Sequence, residues 1–192
     1  MKTIVNSSAY QLSSNFPGEW KASYESYFAR HQPRRLGPEE FWDAISDATG
    51  VHEKFQIKDL ERKVTSVMET SFNQDFAASH KNLWNLLQDW GQTDREDPPT
   101  DRSSMIQAAT LMNHDLILDR VSVKKGSRLE KLLEGKNTDE EIVQELFLAT
   151  ISRPPQSVEK RQALALLGRE RKQGAEDLLW ALVNRVDFIF NQ

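Results

Sequence analysis

The chain ends in Ala175-Glu-Asp-Leu-Leu-Trp-Ala-Leu-Val-Asn-Arg-Val-Asp-Phe-Ile-Phe-Asn-Gln192, and the reading of this stretch decides the fold class. Leu178, Leu179, Leu182, Val183, Val186 and Ile189 or Phe190 recur at steps of three and four, the spacing of one helix face. Trp180 and Phe188 widen that face until little of it is polar, so the expectation is a helix buried on most sides. Such a helix needs others around it.

Working outward, the preceding segments supply them. Gly174 is expected to turn the chain into the last helix, after a helix capped by Ser157 that carries Ala163, Leu164, Leu166 and Leu167. Pro154-Pro155 forbids continuation of the helix before it. That helix opens on Thr138-Asp139-Glu140-Glu141, a capping box in which threonine and the glutamate three residues on satisfy each other's backbone N–H groups. A helix from Met105 to about Val121, with Ser103 or Ser104 as cap, is followed by a Gly126-Ser127 interruption, an apolar resumption at Leu129, Leu132 and Leu133, and a stop at Gly135. Nearer the N-terminus, Gly37-Pro38-Glu39-Glu40 is a helix start, because proline suits the first helical position and acids suit the positive end of the dipole. Phe41, Trp42, Ile45 and Ala48 form its buried side and Gly50 its end. Another helix reads over 79–90 through Leu83, Trp84, Leu87 and Trp90, and a short aromatic-faced one carries Trp20, Tyr24, Tyr27 and Phe28. Strand-like alternation is nowhere sustained. The expected fold is all-α, an irregular multi-helix bundle forming one domain over 1–192, with sub-lobes 1–91 and 103–192 joined by the polar, proline-broken segment 92–102.

Composition limits the function classes. A chain of 192 residues with 38% hydrophobic and 28% charged residues can bury a globular core. The net charge of −4 and the isolation of the Lys124-Lys125 and Arg34-Arg35 pairs give no basic stripe, so nucleic acid is not expected. No run approaches the roughly twenty apolar residues that span a bilayer, so membrane insertion is not expected. Residues 1–8 hold one lysine and no apolar core, so no targeting signal is read there; an export signal of a parent protein would lie outside this stretch. With no cysteine there is no disulfide, thiolate metal site or covalent haem attachment.

The residues that could carry chemistry are few. His31, His52, His80 and His114 are too far apart in sequence for a helical metal pair, and no metal or cofactor is expected. His114, where an apolar pattern pauses, is a candidate cleft residue, weighed against a surface or cap role. The pairs Glu39-Glu40 and Glu140-Glu141 are explained by helix N-termini, and Glu96-Asp97 by a solvated loop. No nucleophile elbow or glycine-rich phosphate loop appears, so no catalytic residue is assigned. Trp20 and Trp90, nearest the expected loops, are candidates for a sugar-stacking or partner surface, though aromatics at helical spacing more often belong to a core.

The residues also carry a resemblance. Ser152-Arg153-Pro154-Pro155, followed by a cap, a helix and Ala175 to Asn184 with Phe188-Ile189-Phe190-Asn191, closely resembles the end of the domain of unknown function 1553. Asn6-Ser7-Ser8-Ala9-Tyr10-Gln11-Leu12-Ser13-Ser14, Pro33-Arg34-Arg35-Leu36 and Ala108-Ala109-Thr110-Leu111-Met112-Asn113 are similar to further stretches of that family, which spans nearly the whole chain. The family is the C-terminal domain of large planctomycete-type bacterial proteins that also carry cytochrome c-like segments. The resemblance therefore implies a periplasmic or extracellular multidomain context, with the parent's other domains, a c-type cytochrome domain among them, as partners. Members often carry cysteines before the helix at Met105, where this chain reads Asp94-Arg95-Glu96-Asp97, so a role resting on those cysteines has no counterpart here. The family supplies no catalytic residues to carry over.

The leading expectation is a non-catalytic interaction or scaffolding module. The alternative is a glycan-binding or glycan-hydrolysing module using loop tryptophans and carboxylates. An electron-transfer partner would instead show an acidic docking face at Glu96 and Asp97. Arg153 is expected to pair with Glu176 or Asp177 at the start of the last helix, with Trp180 beside them as a structural residue.

Overall fold

The computed structural model describes residues 2–8, 10–14, 16–27, 29–56, 63–70, 74–91 and 105–191. It is mostly helical, as expected, with two small antiparallel sheets among the described residues. Two compact units divide at Leu36: residues 1–35 with 190–192, and residues 36–189. The division expected over 92–102 thus falls within the second unit, and that segment itself lies outside the described residues.

The first unit has little regular structure. It contains α1 (Lys2–Val5), a 3-10 turn (Ala22–Tyr27) and β1 (Arg34–Arg35), which pairs antiparallel with β4 (Phe190–Asn191). The aromatic-faced helix expected around Trp20 is only this 3-10 turn, which begins after Trp20. Neither α1 nor the turn contains a buried residue.

The second unit is built on α2 (Pro38–Thr49), whose start and stop match the sequence signals: proline at its first position, Glu40 accepting the Gly37 N–H at 2.9 Å, and Gly50 in the left-handed conformation at φ 69°. Phe41, Trp42, Ile45 and Ala48 are buried on its inner face. A hairpin of β2 (Phe55–Gln56) and β3 (Lys63–Val64) follows, then a 3-10 turn (Val67–Glu69) whose first N–H donates to Asp43 Oδ1 of α2 at 2.8 Å. Next come α3 (Gln74–Ser79) and α4 (Lys81–Trp90), closed by Gly91.

The long helix expected from Met105 is broken. It forms α5 (Met105–Asn113) and α6 (Asp115–Val121), because His114 leaves helical geometry and its Nδ1 accepts the Leu116 N–H at 3.2 Å as the cap of α6. Ser127 caps α7 (Arg128–Glu134), and Thr138 opens α8 (Asp139–Ile151) with its expected capping box. The cap of α9 (Ser157–Leu167) is Gln156 rather than Ser157. Glu159 accepts the Gln156 N–H at 2.7 Å, and Ser157 is the first helical residue.

The last helix also differs from expectation. Gly168 ends α9, and α10 (Arg171–Val183) starts before Gly174, which sits inside it. A Cβ at Gly174 would lie 2.4 Å from the Leu166 carbonyl oxygen, so glycine is there for the close approach of α9 and α10 rather than for a turn. Leu178, Leu179, Leu182 and Val183 are buried as the periodicity requires. The helix stops at Asn184, whose Nδ2 donates to the Trp180 carbonyl at 2.8 Å and competes with continued helix. The chain then forms α11 (Val186–Ile189), where Phe188 is buried and Val186 is exposed, so Val186 does not belong to the core face.

One core joins α2, α4, α8 and α10, with helices from both sides of 92–102 contributing. Arginines fasten the C-terminal end of α2. Arg128 donates from Nε to the Ala48 carbonyl at 2.9 Å and from Nη2 to the Asp47 carbonyl at 3.0 Å, while also pairing with Glu145 of α8. Arg120, buried on α6, donates to the Val51 carbonyl and to Glu53, with its guanidinium over the Trp42 ring. Cations at helix C-terminal carbonyls satisfy acceptors that the helix leaves open and complement its dipole.

Candidate interaction surface

The residues singled out from sequence do not assemble into one site. Trp90 is buried: its ring lies flat on Phe41 at 3.7 Å between centroids, and Nε1 donates to the Leu36 carbonyl at 3.2 Å. A sugar has no access to that face. His114 is a helix cap, with its Nδ1 lone pair already used by the Leu116 N–H. Glu96 and Asp97 lie outside the described residues.

The structural residues fare differently from one another. Arg153 pairs with neither Glu176 nor Asp177. Glu176 Oε1 accepts the Val123 N–H at 2.7 Å, tying α10 to the connection after α6, and Asp177 accepts from Gln173. Trp180 Nε1 donates to the Met112 carbonyl at the end of α5. Arg153 instead meets Glu159 of α9 through two bonds and Asp187 of α11 through one. Arg185 closes the ring, donating to Glu159 at 2.7 Å and to Asp187 at 2.7 Å. Helix α9 begins just after the Pro154-Pro155 stop, which brings Glu159 to Arg153, whereas Glu176 and Asp177 are held elsewhere. The hydrogen bonds from Arg153 hold the Glu159 carboxyl down at about 2, and Glu159 in turn raises the Arg153 guanidinium above its ordinary value. This ring fastens three chain segments together. All four of its charges are answered inside it, so it offers a ligand little.

Trp20 is half-buried, in a setting of its own. The Arg30 guanidinium carbon lies 3.9 Å from its ring centroid, a cation–π stack. Phe16 and Tyr24 meet the same ring edge to face at 5.3 and 5.9 Å. The Ser13 and Ser14 carbonyls accept from the His31 N–H and from Arg30 Nη1, which pins the 30–31 segment beside residues 13–14. Elsewhere in its sequence the first unit exposes Tyr27, Tyr10, Ile4, Val5 and Leu12, with Tyr27 at 77% the most exposed large apolar side chain described. Its charges are Lys2, Lys21, Arg30, Arg34 and Arg35 against Glu19 and Glu25, a positive balance in a chain whose net charge is −4. Burial pushes the Arg35 guanidinium below its ordinary value, yet an arginine so shifted stays charged.

Sequence reasoning placed Trp20 near a loop and grouped it with Tyr24 and Tyr27, but missed Arg30 as the group stacked on its ring. The signal available was the basic run Arg30-His31-Gln32-Pro33-Arg34-Arg35 directly after an aromatic-rich segment. Chemically, the surface offers a guanidinium group and aromatic faces. Among the described residues, no three His, Asp or Glu side chains group as metal ligands, and no helix is long and apolar enough to cross a membrane.

Comparison with curated proteins and with solved structures finds no match. A family profile described as a protein of unknown function (DUF1553) matches residues 1–167, which takes in residues 1–35 of the first unit, α2 and the Ser152-Arg153-Pro154-Pro155 turn and ends at the last residue of α9. With that match over most of its length, the chain belongs to the DUF1553 family.

Proposed function

We propose that the chain is a non-catalytic helical interaction module of a larger exported bacterial protein with cytochrome-linked segments, binding its partner through the first unit. The observation that carries this reading is the distribution of exposed apolar groups. Among the described residues five of the eleven exposed large apolar side chains, Ile4, Val5, Tyr10, Leu12 and Tyr27, fall within residues 1–35, while the other six are spread over the much longer second unit, and neither helical element of the first unit contributes a buried residue. A high density of exposed apolar and aromatic side chains in a short stretch of a folded chain is what a binding face supplies. The second unit, in contrast, uses Arg120, Arg128, Arg153 and Arg185 to hold its own helix ends and turns together. The partner is another domain of the parent protein, with the c-type cytochrome domain first among them, and the compartment is the periplasm or cell surface.

Sedimentation velocity of the chain mixed with a soluble c-type cytochrome domain tests this. A co-sedimenting species that a Tyr27→Ser substitution weakens is the expected result. Independent sedimentation with every such domain of the parent protein would remove the reading. The glycan alternative keeps only Trp20 of its two tryptophans, and one face of that ring is covered by Arg30.

A further inference from the structure

We infer that the first unit opens and recloses as a piece of its own while residues 36–189 stay folded, and that the partner takes the closed form, so that binding and closing are linked. The part played by the partner rests on the interaction-module reading; the opening is a property of the free chain.

Three observations on the first unit lead there. In the folded chain none of its described residues is buried: Trp20, Tyr24, Arg30 and His31 are among its best covered, and they are half-buried. Among the described residues, every buried apolar side chain of the core lies between Phe41 and Phe188. Apolar burial is the main term holding a fold, so residues 1–35 belong to its low-stability end. The regular elements are also too short to stand alone. Helix α1 has 4 residues, the 3-10 turn has 6, and β1 pairs only Arg34 and Arg35 with Asn191 and Phe190. A single helical turn does not offset its nucleation, and a two-stranded ladder is marginal in water. Finally, closing leaves Arg30 Nε and His31 Nε2 buried without hydrogen-bond partners. Opening returns both to water, which offsets part of what the lost contacts contributed.

The contacts that close the unit break together. Residues 30–31 supply the stack on Trp20, the His31 N–H bond to the Ser13 carbonyl at 3.1 Å and the Arg30 bond to the Ser14 carbonyl at 3.5 Å. Tyr24, packed on Trp20, lies in the same 3-10 turn as the exposed Tyr27, so closing is what fixes where Tyr27 is presented. A partner that uses Tyr27 therefore stabilises the closed form, and its apparent affinity falls with the closed fraction.

Native-state hydrogen exchange, read by NMR over a urea series, tests this. The His31 amide reports on the first unit, and the amides of Leu146 in α8 and Leu179 in α10, both buried, report on the second. The His31 amide should exchange at least about tenfold faster than those two, yet slower than in an unstructured peptide, and low urea should leave its rate unchanged because a local opening exposes little surface. Equal rates for all three that rise together with urea would overturn the inference, since one global unfolding would then govern them. Exchange of His31 at the peptide rate would overturn it too, since the unit would have no closed form. Trp20→Ala should bring His31 to the peptide rate and leave Leu146 and Leu179 unchanged; acceleration of all three alike would count against independent opening. Adding the c-type cytochrome domain should slow exchange at His31 alone. If that domain co-sediments and His31 exchanges as before, the linkage is lost and the interaction module stands. If no domain binds, the interaction reading and the linkage fall together, and the opening is decided by the free chain.

Discussion

Glu159 receives the Arg153 guanidinium through both carboxylate oxygens, at 2.8 and 2.9 Å, while its Oε2 also accepts the Gln156 backbone N–H. One side chain thus caps α9 and anchors the ring that binds the Ser152-Arg153-Pro154-Pro155 turn to Arg185 and Asp187. Paired arginine–carboxylate geometry is the strong form of an ion pair, and a partly sheltered network is worth more than an isolated surface pair.

Arg153→Ala should therefore destabilise the fold by about 1–3 kcal/mol, since Glu159 loses its two-bond partner and Asp187 one of its cations. Arg153→Lys should recover only part of this, because lysine cannot make the double bond to Glu159. Urea unfolding of the two variants checks both expectations, and equal midpoints for wild type and Arg153→Ala would contradict them.

The depressed carboxyl of Glu159 sets a pH dependence. Its pKa in the folded chain, about 2, lies below its ordinary value of 4.5, so the folded state favours the charged form. The stabilisation is fully present above the unfolded value and fades as pH falls through the folded one. Wild type should lose stability between roughly pH 5 and 2 more steeply than Glu159→Gln does. Thermal melts across that range read the difference between the two slopes.

Trp90→Ala should cost about 3–5 kcal/mol, the usual penalty for emptying a large aromatic site in a core. It removes the ring stacked on Phe41 and leaves the Leu36 carbonyl without its indole donor. Thermal unfolding measures it. A melting temperature equal to wild type would place Trp90 outside the core.

Gly174→Ala should destabilise by about 2 kcal/mol, as overpacking does when backbone has to move. The added methyl meets the Leu166 carbonyl oxygen and carbon at 2.4 and 2.5 Å, and a backbone atom cannot swing aside as a side chain would. Chemical denaturation reads the loss.

Much of the fold was legible because it rests on local signals. Proline before Glu39-Glu40, Gly50, Ser127, the Thr138 box and Pro154-Pro155 each act on their own backbone neighbours, and each lies at an element boundary as expected. The misplacements share a different cause. The break at His114, the cap at Gln156, the early start of α10 and the stop at Asn184 depend on side chains satisfying backbone groups or on what a distant segment presents. Arg153 shows the limit most plainly. Its chemistry calls for a carboxylate, but Glu159, Asp187, Glu176 and Asp177 are equivalent on that ground, and only the folded chain selects among them. The candidate surface was less legible than the fold. Trp20 and Trp90 look alike in sequence, and burial against Phe41 separates them.

The measurement that tests the central claim most directly is a thermal-shift titration of the wild-type chain with a soluble c-type cytochrome domain and, separately, with soluble oligosaccharides. A ligand that binds only the folded state raises the melting temperature as its concentration passes the dissociation constant. An interaction module of the kind proposed here gives a saturable rise with the cytochrome domain and a flat response to every sugar. A saturable rise with an oligosaccharide, and none with the cytochrome domain, would contradict it and return Trp20 to the role of a sugar platform.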